Sequence, residues 1–458
     1  HKLNMEVLQR TANRGSISTG YDIDNSLKLE RANSEYLNRT PSSSGNQQIF
    51  TFSSWVKFSH INSGVSEWST LFSAGDFAAN SPSFRIGHHT NNALQVSFYT
   101  NSAYTGYYRT DALYRDTAAW YHFVCAVDTT QGTNTNRVKI YVNGVLAPTT
   151  SAVSHVAQNY NSGVNTEIAH RIGHGVNMQT YASEYVAETH FVDGQALAPT
   201  EFGEFDDDSG IWKPKEVDVT YGTNGFYLDY ADASDLGDDE SGNGNDWTEN
   251  NIAAADQATD TPTNNFCVMN VNKGITYYTI NGPGTLNRHP ILTDGATVIG
   301  NNSNNYVITD ATMAMTSGKW YWEIKCTVDA NTGVTEAGIA SNHDLGFYSD
   351  DGVGNFFYQQ DGSRYVNGAG AGYGAAWATN DIMGFAYDAD NWTLTCFKNN
   401  SSQGNLLAGT ADLSAKAFLF KLATYGTHTY HMNFGGYTVN SISSAASDAN
   451  GYGTFEYA

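Results

Sequence analysis

Along much of the chain hydrophobic and polar residues alternate one by one, the period of a strand with its two sides in different surroundings. In Phe50-Thr-Phe-Ser-Ser-Trp-Val-Lys-Phe58, Phe50, Phe52, Val56 and Phe58 fall on one side; Thr51, Ser53, Trp55 and Lys57 fall on the other. Val138, Ile140 and Val142 alternate with Lys139, Tyr141 and Asn143, and the run stops at Asn143-Gly144 before Val145-Leu146. Asn-Gly between alternating runs predicts a tight hairpin, because both residues tolerate positive φ. Cys125 alternates with Phe123 and Val127; Trp320, Trp322, Ile324 and Cys326 share a face, as do Trp392, Leu394 and Cys396. Long apolar stripes at the helical period of 3.6 residues are absent. The expectation is an all-β chain of short antiparallel strands, stacked as β-sandwiches.

The length of 458 residues exceeds one sandwich, at about 150 residues per domain. Residues 1–20 show no alternation and are expected to be an extended segment that orders on a partner. Strand-like runs fill residues 21–230, and the acidic, Gly- and Asn-rich stretch 231–270 reads as a linker. A second strand-rich block covers 271–440, and a Ser-, Ala- and Asn-rich tail covers 441–458.

Composition narrows the function. Charged residues are only 15% and aromatics 13%, with many turn formers, unlike a helical enzyme. With 46 acidic against 23 basic residues the net charge is −23, which disfavours phosphate backbones and anionic membranes, so no nucleic-acid partner is expected. No apolar run approaches the ~18 residues of a membrane span, and His1–Arg10 lacks the apolar core of a secretory signal. A protein made in a cytoplasm and released by lysis accommodates both an extracellular composition and a missing export signal. Three of the four cysteines, Cys125, Cys326 and Cys396, sit in strand patterns as small buried hydrophobes; Cys267 falls in the linker. A disulfide between two of the sandwich cysteines stays open.

Two stretches resemble known families. Phe50-Thr-Phe-Ser-Ser-Trp-Val-Lys57, Trp120-Tyr-His-Phe-Val-Cys-Ala-Val-Asp128 and Arg137-Val-Lys-Ile-Tyr-Val-Asn-Gly144 resemble the early strand and central hairpin of laminin-G/concanavalin-A-like domains. Gly318-Lys-Trp-Tyr-Trp-Glu-Ile-Lys325, Gly338-Ile-Ala-Ser341, Asp381-Ile-Met-Gly-Phe-Ala-Tyr-Asp388 and Leu394-Thr-Cys-Phe-Lys-Asn399 resemble SPRY domains. The tandem order, with Asn13-Arg-Gly-Ser-Ile-Ser-Thr19 in front and Phe191-Val-Asp-Gly-Gln-Ala-Leu197 within, resembles large marine tailed-phage proteins read as tail-fibre or other virion surface proteins. That resemblance implies a non-enzymatic virion component, on tail or capsid surface, held to other virion proteins by its N-terminal segment and assembled as a homo-oligomer. It also implies host-surface carbohydrate as a partner and a further short segment after Phe455-Glu-Tyr457. A secreted bacterial lectin or adhesin is the alternative, and a carbohydrate-active hydrolase a more distant one.

The candidate chemistry is sparse. A glycosidase on such a fold needs paired carboxylates. The nearest grouping, Glu201-Phe-Gly-Glu204-Phe-Asp206-Asp-Asp208, lacks its final glutamate and reads as a solvated turn, so no catalytic residue is assigned. His170 and His174 would share a zinc only on a helix, which Gly173 and Gly175 oppose. No cofactor is required. Calcium is the metal that the oxygen-rich loop Asp238, Asp239, Asn243 and Asp246 would invite, although its spacing is not the twelve-residue calcium pattern. For ligand binding, Tyr104, Tyr107, Tyr108 and Arg109 form one aromatic group, and Tyr373 and Trp377 in a Gly-rich loop form another. Exposed rings with polar edges suit sugars, although packing under loops is the competing reading for both.

Overall fold

The structure is a computed structural model. It describes residues 20–61, 68–176, 180–271, 277–279, 282–284, 291–329, 335–341, 354–409, 413, 416–447 and 453–457, with 277–279, 282–284 and 302–306 described by backbone alone. The N-terminal segment expected at 1–20 therefore lies outside the described residues except for Gly20. The chain is 46% strand and 3% helix, and every paired strand is antiparallel to its neighbour, as the alternation predicted.

Two compact units meet at Asn265/Phe266. In the first, two sheets enclose one core. The back sheet runs in the order Val145–Leu146, Val138–Val142, Tyr121–Asp128, Ile49–Phe58, Glu184–Asp193, Ser26–Leu29, Gln257–Ala258. The front sheet runs Ala152–Ser154, Ala103–Arg109, Leu94–Thr100, Ser83–His88, Ser69–Ala74, His170–Ile172, Tyr36–Arg39, Thr248–Asn250. Phe50, Phe52, Val56 and Phe58 meet Phe72, Phe84, Val96 and Phe98 between them. The Asn143-Gly144 hairpin forms, with φ of 48° and 77° at the two turn residues.

The other side of the Ile49–Phe58 strand is buried as well. Thr51, Ser53, Trp55 and Lys57 are all under 5% exposed, because two stretches of chain lie over the back sheet. One carries Leu197, Phe202, Val217, Val219 and Tyr221 onto Val124 and Val192, and Trp212 Nε1 donates to His122 Nδ1 at 3.0 Å. The other is the stretch expected to be a linker, and here the expectation fails. Residues 248–250 and 257–258 are strands of the front and back sheets. Asp256 meets Lys28 at 2.7 Å and Asp260 meets Lys57 at 2.6 Å, with both lysines buried. An acidic composition marked this segment as solvated; its carboxylates instead neutralise cations that the sheet buries.

Among the described residues the main sheet of the second unit has eleven antiparallel strands and curls around its own core, its long strand Leu419–Asn433 pairing with Val298–Asp310, Lys319–Asp329 and Thr335–Ala340. Trp322, Ile324, Cys326, Leu394 and Cys396 all face that core, as their alternation predicted. None of the four cysteines is in a disulfide. The expected tail is partly built in: Ala446 bridges Phe455, and the buried Glu323 carboxylate accepts from the amides of Glu456 and Tyr457 at 2.9 and 2.7 Å. No described helix is long and apolar enough to cross a membrane.

Candidate functional site

The front sheet turns a polar and aromatic side away from its core; Ser73, Arg85, Gln95, Ser97 and Tyr99 are buried there too, and solvent reaches that side at Tyr104, Tyr107, Arg109 and Arg171. Strand alternation decides which residues stand there. Leu37, Ile172, Phe72, Phe84, Ile86, Val96, Phe98 and Tyr108 fill the core, so their neighbours point outward. Register then lines up Asn38, Arg171, Ser73, Arg85, Ser97, Tyr107 and Ser154 across seven strands.

A ladder of rings runs along one part of this face. Trp68 meets His89 edge-on at 4.6 Å and covers the Arg85 guanidinium at 3.7 Å. Arg85 donates to the Tyr99 hydroxyl at 2.6 Å. Tyr99 packs on Tyr104 at 4.6 Å, and Tyr104 on Tyr107 at 5.1 Å. Arg109 Nε donates to Gln95 Oε1 at 2.7 Å, and Gln95 in turn donates to Ser97 Oγ at 2.7 Å. Burial, with the charges of Arg109 and Arg85 beside it, pushes His89 down to about 4, so the ring is neutral at pH 7. Toward the opposite edge, Arg171 lies over Tyr36 at 4.9 Å and donates to His174 Nδ1 at 2.7 Å. His174 stacks on Tyr181 at 4.0 Å.

Of the residues expected from sequence, Tyr104 is 48% exposed, and Tyr107 and Arg109 are half-buried on this outer face. Tyr108 does not belong with them. It is 2% exposed, faces the core, and accepts from the Val156 amide at 3.1 Å. The group lies on a strand, Ala103–Arg109, so adjacent tyrosines point to opposite sides. The second aromatic group is structural. Trp377 is 3% exposed in the core of the second unit, and Tyr373 packs edge-on against Tyr358 and donates to the Gly404 carbonyl. The sequence reading missed Trp68, Arg85, Tyr99 and Arg171. The signal was available, since each sits in or beside an alternating run on its polar phase.

The acidic loop is self-satisfied. Asp239 accepts from the amides of Tyr227, Ser241 and Asn245 and from the Ser241 hydroxyl; Asp246 accepts from the Asp239 amide; Asn243 donates to the Gly222 and Gly225 carbonyls. Asp238 is exposed. Among the described residues no group of three or more His, Cys, Asp or Glu is placed to hold a metal ion. Glu204 and Asp206 lie on an exposed turn, both against Lys213 at 3.3 and 3.4 Å. Hydrogen bonds from Ser209 hold Asp206 down at about 2.

Residues 31–196, which include the ring ladder, match the laminin-G model of the concanavalin A-like lectin/glucanases superfamily. The matched residues lie within the two-sheet sandwich of the first unit, which is thus similar to concanavalin-A-like domains. The chain is similar to the SPRY domain of human HERC1 (17% identity over 30% of this chain and 87% of that one, TM-score 0.26). It is also similar to the heptameric SAP-like pentraxin of Limulus polyphemus (16% identity, 39% and 80%, TM-score 0.29). A third similarity is to a Bacteroides ovatus protein named for a proposed carbohydrate-binding role (15% identity, 50% and 59%, TM-score 0.34). No curated protein matches the chain.

Proposed function

We propose that this is a non-enzymatic carbohydrate-recognition protein whose binding surface is the outer face of the front sheet. The observation that carries the reading is the ladder of Trp68, Tyr99, Tyr104 and Tyr107 inside the region matching the lectin/glucanase family: Trp68, Tyr104, Tyr107 and Arg109 reach solvent, and the buried Tyr99, Arg85 and Gln95 hold them from beneath. Flat rings offer apolar faces to sugar rings, and the half-buried Arg109 guanidinium beside them meets hydroxyls. The carboxylates near Lys213 are spent on a turn and a salt bridge, which supports binding over hydrolysis.

The protein's setting, in this reading, is the virion surface of a marine phage. Residues 1–20 attach it to other virion proteins as a homo-oligomer, and many copies raise weak glycan contacts to useful avidity. Sequence resemblance alone supports that part. Glycan-array binding by the purified protein tests the core of the proposal. Tyr104→Ala with Tyr107→Ala should lower binding at least about tenfold, or ~1.4 kcal/mol, with the fold intact. Unchanged binding in that variant refutes the placement, and cleavage of a bound polysaccharide refutes the non-enzymatic reading. Imaging the chain within particles, with and without residues 1–20, tests the setting: a truncated chain that still assembles at full copy number refutes the anchor.

A further inference from the structure

We propose that the saccharide taken by the front face is anionic, bearing carboxylate or sulfate groups that Arg109 and Arg171 receive; this rests on the carbohydrate reading above. The argument begins with a reversal of charge. The whole chain carries 46 acidic against 23 basic residues. Yet the polar phase of the front-sheet strands carries the buried Arg85 and the half-buried Arg109 and Arg171, and no aspartate or glutamate. The one carboxylate in those eight strands, Glu249, is paired in register with core-facing Leu37 and accepts from the Leu236 amide. A face drawn at random from this composition would carry an excess of acid. This one excludes it.

The two outer arginines are also held ready without being neutralised. Arg109 spends Nε on the neutral Gln95 side chain. Arg171 spends Nε on Asn38 and one terminal nitrogen on His174, and stacks on Tyr36. Neither meets a carboxylate among the described residues, and His174, pushed down to about 4 by burial and by Arg171, adds no competing charge. Neutral partners fix the planar fork while leaving its charge to a ligand, and a guanidinium fork matches carboxylate and sulfate geometry. Four strand-to-strand steps separate Arg109 from Arg171, roughly 19 Å along the sheet. That span suits a chain of several sugar units that meets Tyr107 and passes over the buried Arg85 and Ser73, rather than a single sugar. The net charge of −23 works against polyanions sticking elsewhere, so binding of an acidic glycan must be local to this face.

The test is a matched set on one backbone: dextran, carboxymethyl dextran and dextran sulfate, with agarose and carrageenan as a second neutral and sulfated pair. Affinities are measured by biolayer interferometry for the full chain, Arg109→Gln, the Arg109→Gln/Arg171→Gln pair and the Tyr104→Ala/Tyr107→Ala pair, with circular dichroism as the check on folding. The expected result is binding of an anionic form at least about tenfold tighter than its neutral partner, weakened by added salt. The preference should shrink in Arg109→Gln and vanish in the arginine pair. The carboxymethyl and sulfate arms say which anion is preferred. Equal binding of neutral and anionic forms, lost only in the tyrosine variant, overturns the anionic inference and leaves the carbohydrate reading standing. Anionic preference that survives the arginine pair also overturns it. No binding to any member overturns it too, and the glycan array then decides the broader reading separately.

Discussion

Replacing Asp260 by alanine should destabilise the first unit more than most single substitutions. Lys57 stands on the Ile49–Phe58 strand with a fully buried side chain, and its Nζ is 2.6 Å from Asp260 Oδ2 and 2.8 Å from Asn265 Oδ1. The second carboxylate oxygen accepts from Trp120 Nε1 at 3.0 Å, and the Asp260 carbonyl accepts from Ser26 Oγ at 2.7 Å. Removing one partner of such a pair leaves a buried charge without its counter-ion, which costs about 3–5 kcal/mol. For a unit of this size that corresponds to a fall in Tm of roughly 6–20 °C. Tryptophan fluorescence during thermal or urea unfolding measures it. The pair Lys57→Met/Asp260→Asn removes both charges and keeps an acceptor for Trp120, so it should recover at least half of the loss. An Asp260→Ala protein melting within about 2 °C of the parent would refute the reasoning. A double variant worse than the single would do so equally, because the cost would then not come from an unpaired ammonium.

Two further outcomes follow from the same structure. A fragment of residues 20–265 should unfold cooperatively, whereas one ending at Tyr230 should not fold, since it loses two strands, the Asp260 carboxylate beside Lys57 and one of the two carboxylates beside Lys28 (Asp256, with Glu35 kept); a cooperative transition in the shorter fragment restores the linker reading. Stability should also fall on both sides of neutral pH. Burial depresses His88, His122 and His170 to about 4, 3 and 4 from an ordinary 6.5, so the stability they contribute above pH 6.5 is lost as pH drops toward those values, at up to about 1.4 kcal/mol per pH unit for each. Buried Glu184 is raised from 4.5 to about 8, so its contribution is present below 4.5 and lost as pH rises through 8. Glu184→Gln should accordingly raise the urea midpoint on the alkaline side and do little at low pH, and a midpoint gain that is the same at both ends argues against it.

The β class, the Asn143-Gly144 hairpin and the core phases of Phe50, Phe123 and Trp322 were legible because each depends on residues adjacent in sequence. The extent of the first unit was not. An acidic, Gly-rich run has the composition of a solvated linker, and only a partner distant in sequence shows otherwise: Asp260 lies about two hundred residues from Lys57. A buried lysine on the polar phase of a strand was the available clue. Lys28 and Lys57 each interrupt apolar runs on strands that need counter-ions if both of their faces are covered, and a net charge of −23 supplies many candidates without saying which.

The same logic separates the site from its surroundings. Two sheets give four faces; the core takes two, and the stretches carrying Phe202, Trp212, Asp256 and Asp260 take the third. Burial of Thr51, Ser53, Trp55 and Lys57 on that third face shows that polar phase alone does not mark a surface. The fourth face is buried at its middle, where Ser73, Arg85, Gln95, Ser97 and Tyr99 are at most 5% exposed, and reaches solvent at the exposed Tyr104, the half-buried Tyr107 and Arg109, and the stacked Arg171. Tyr107 and Tyr108 are neighbours with the same side chain, and the pleat sends one to each side. A cluster of aromatics in a sequence therefore names a strand before it names a site. Which half of the cluster can meet a ligand follows only when the register has been fixed and the coverage of each sheet is known.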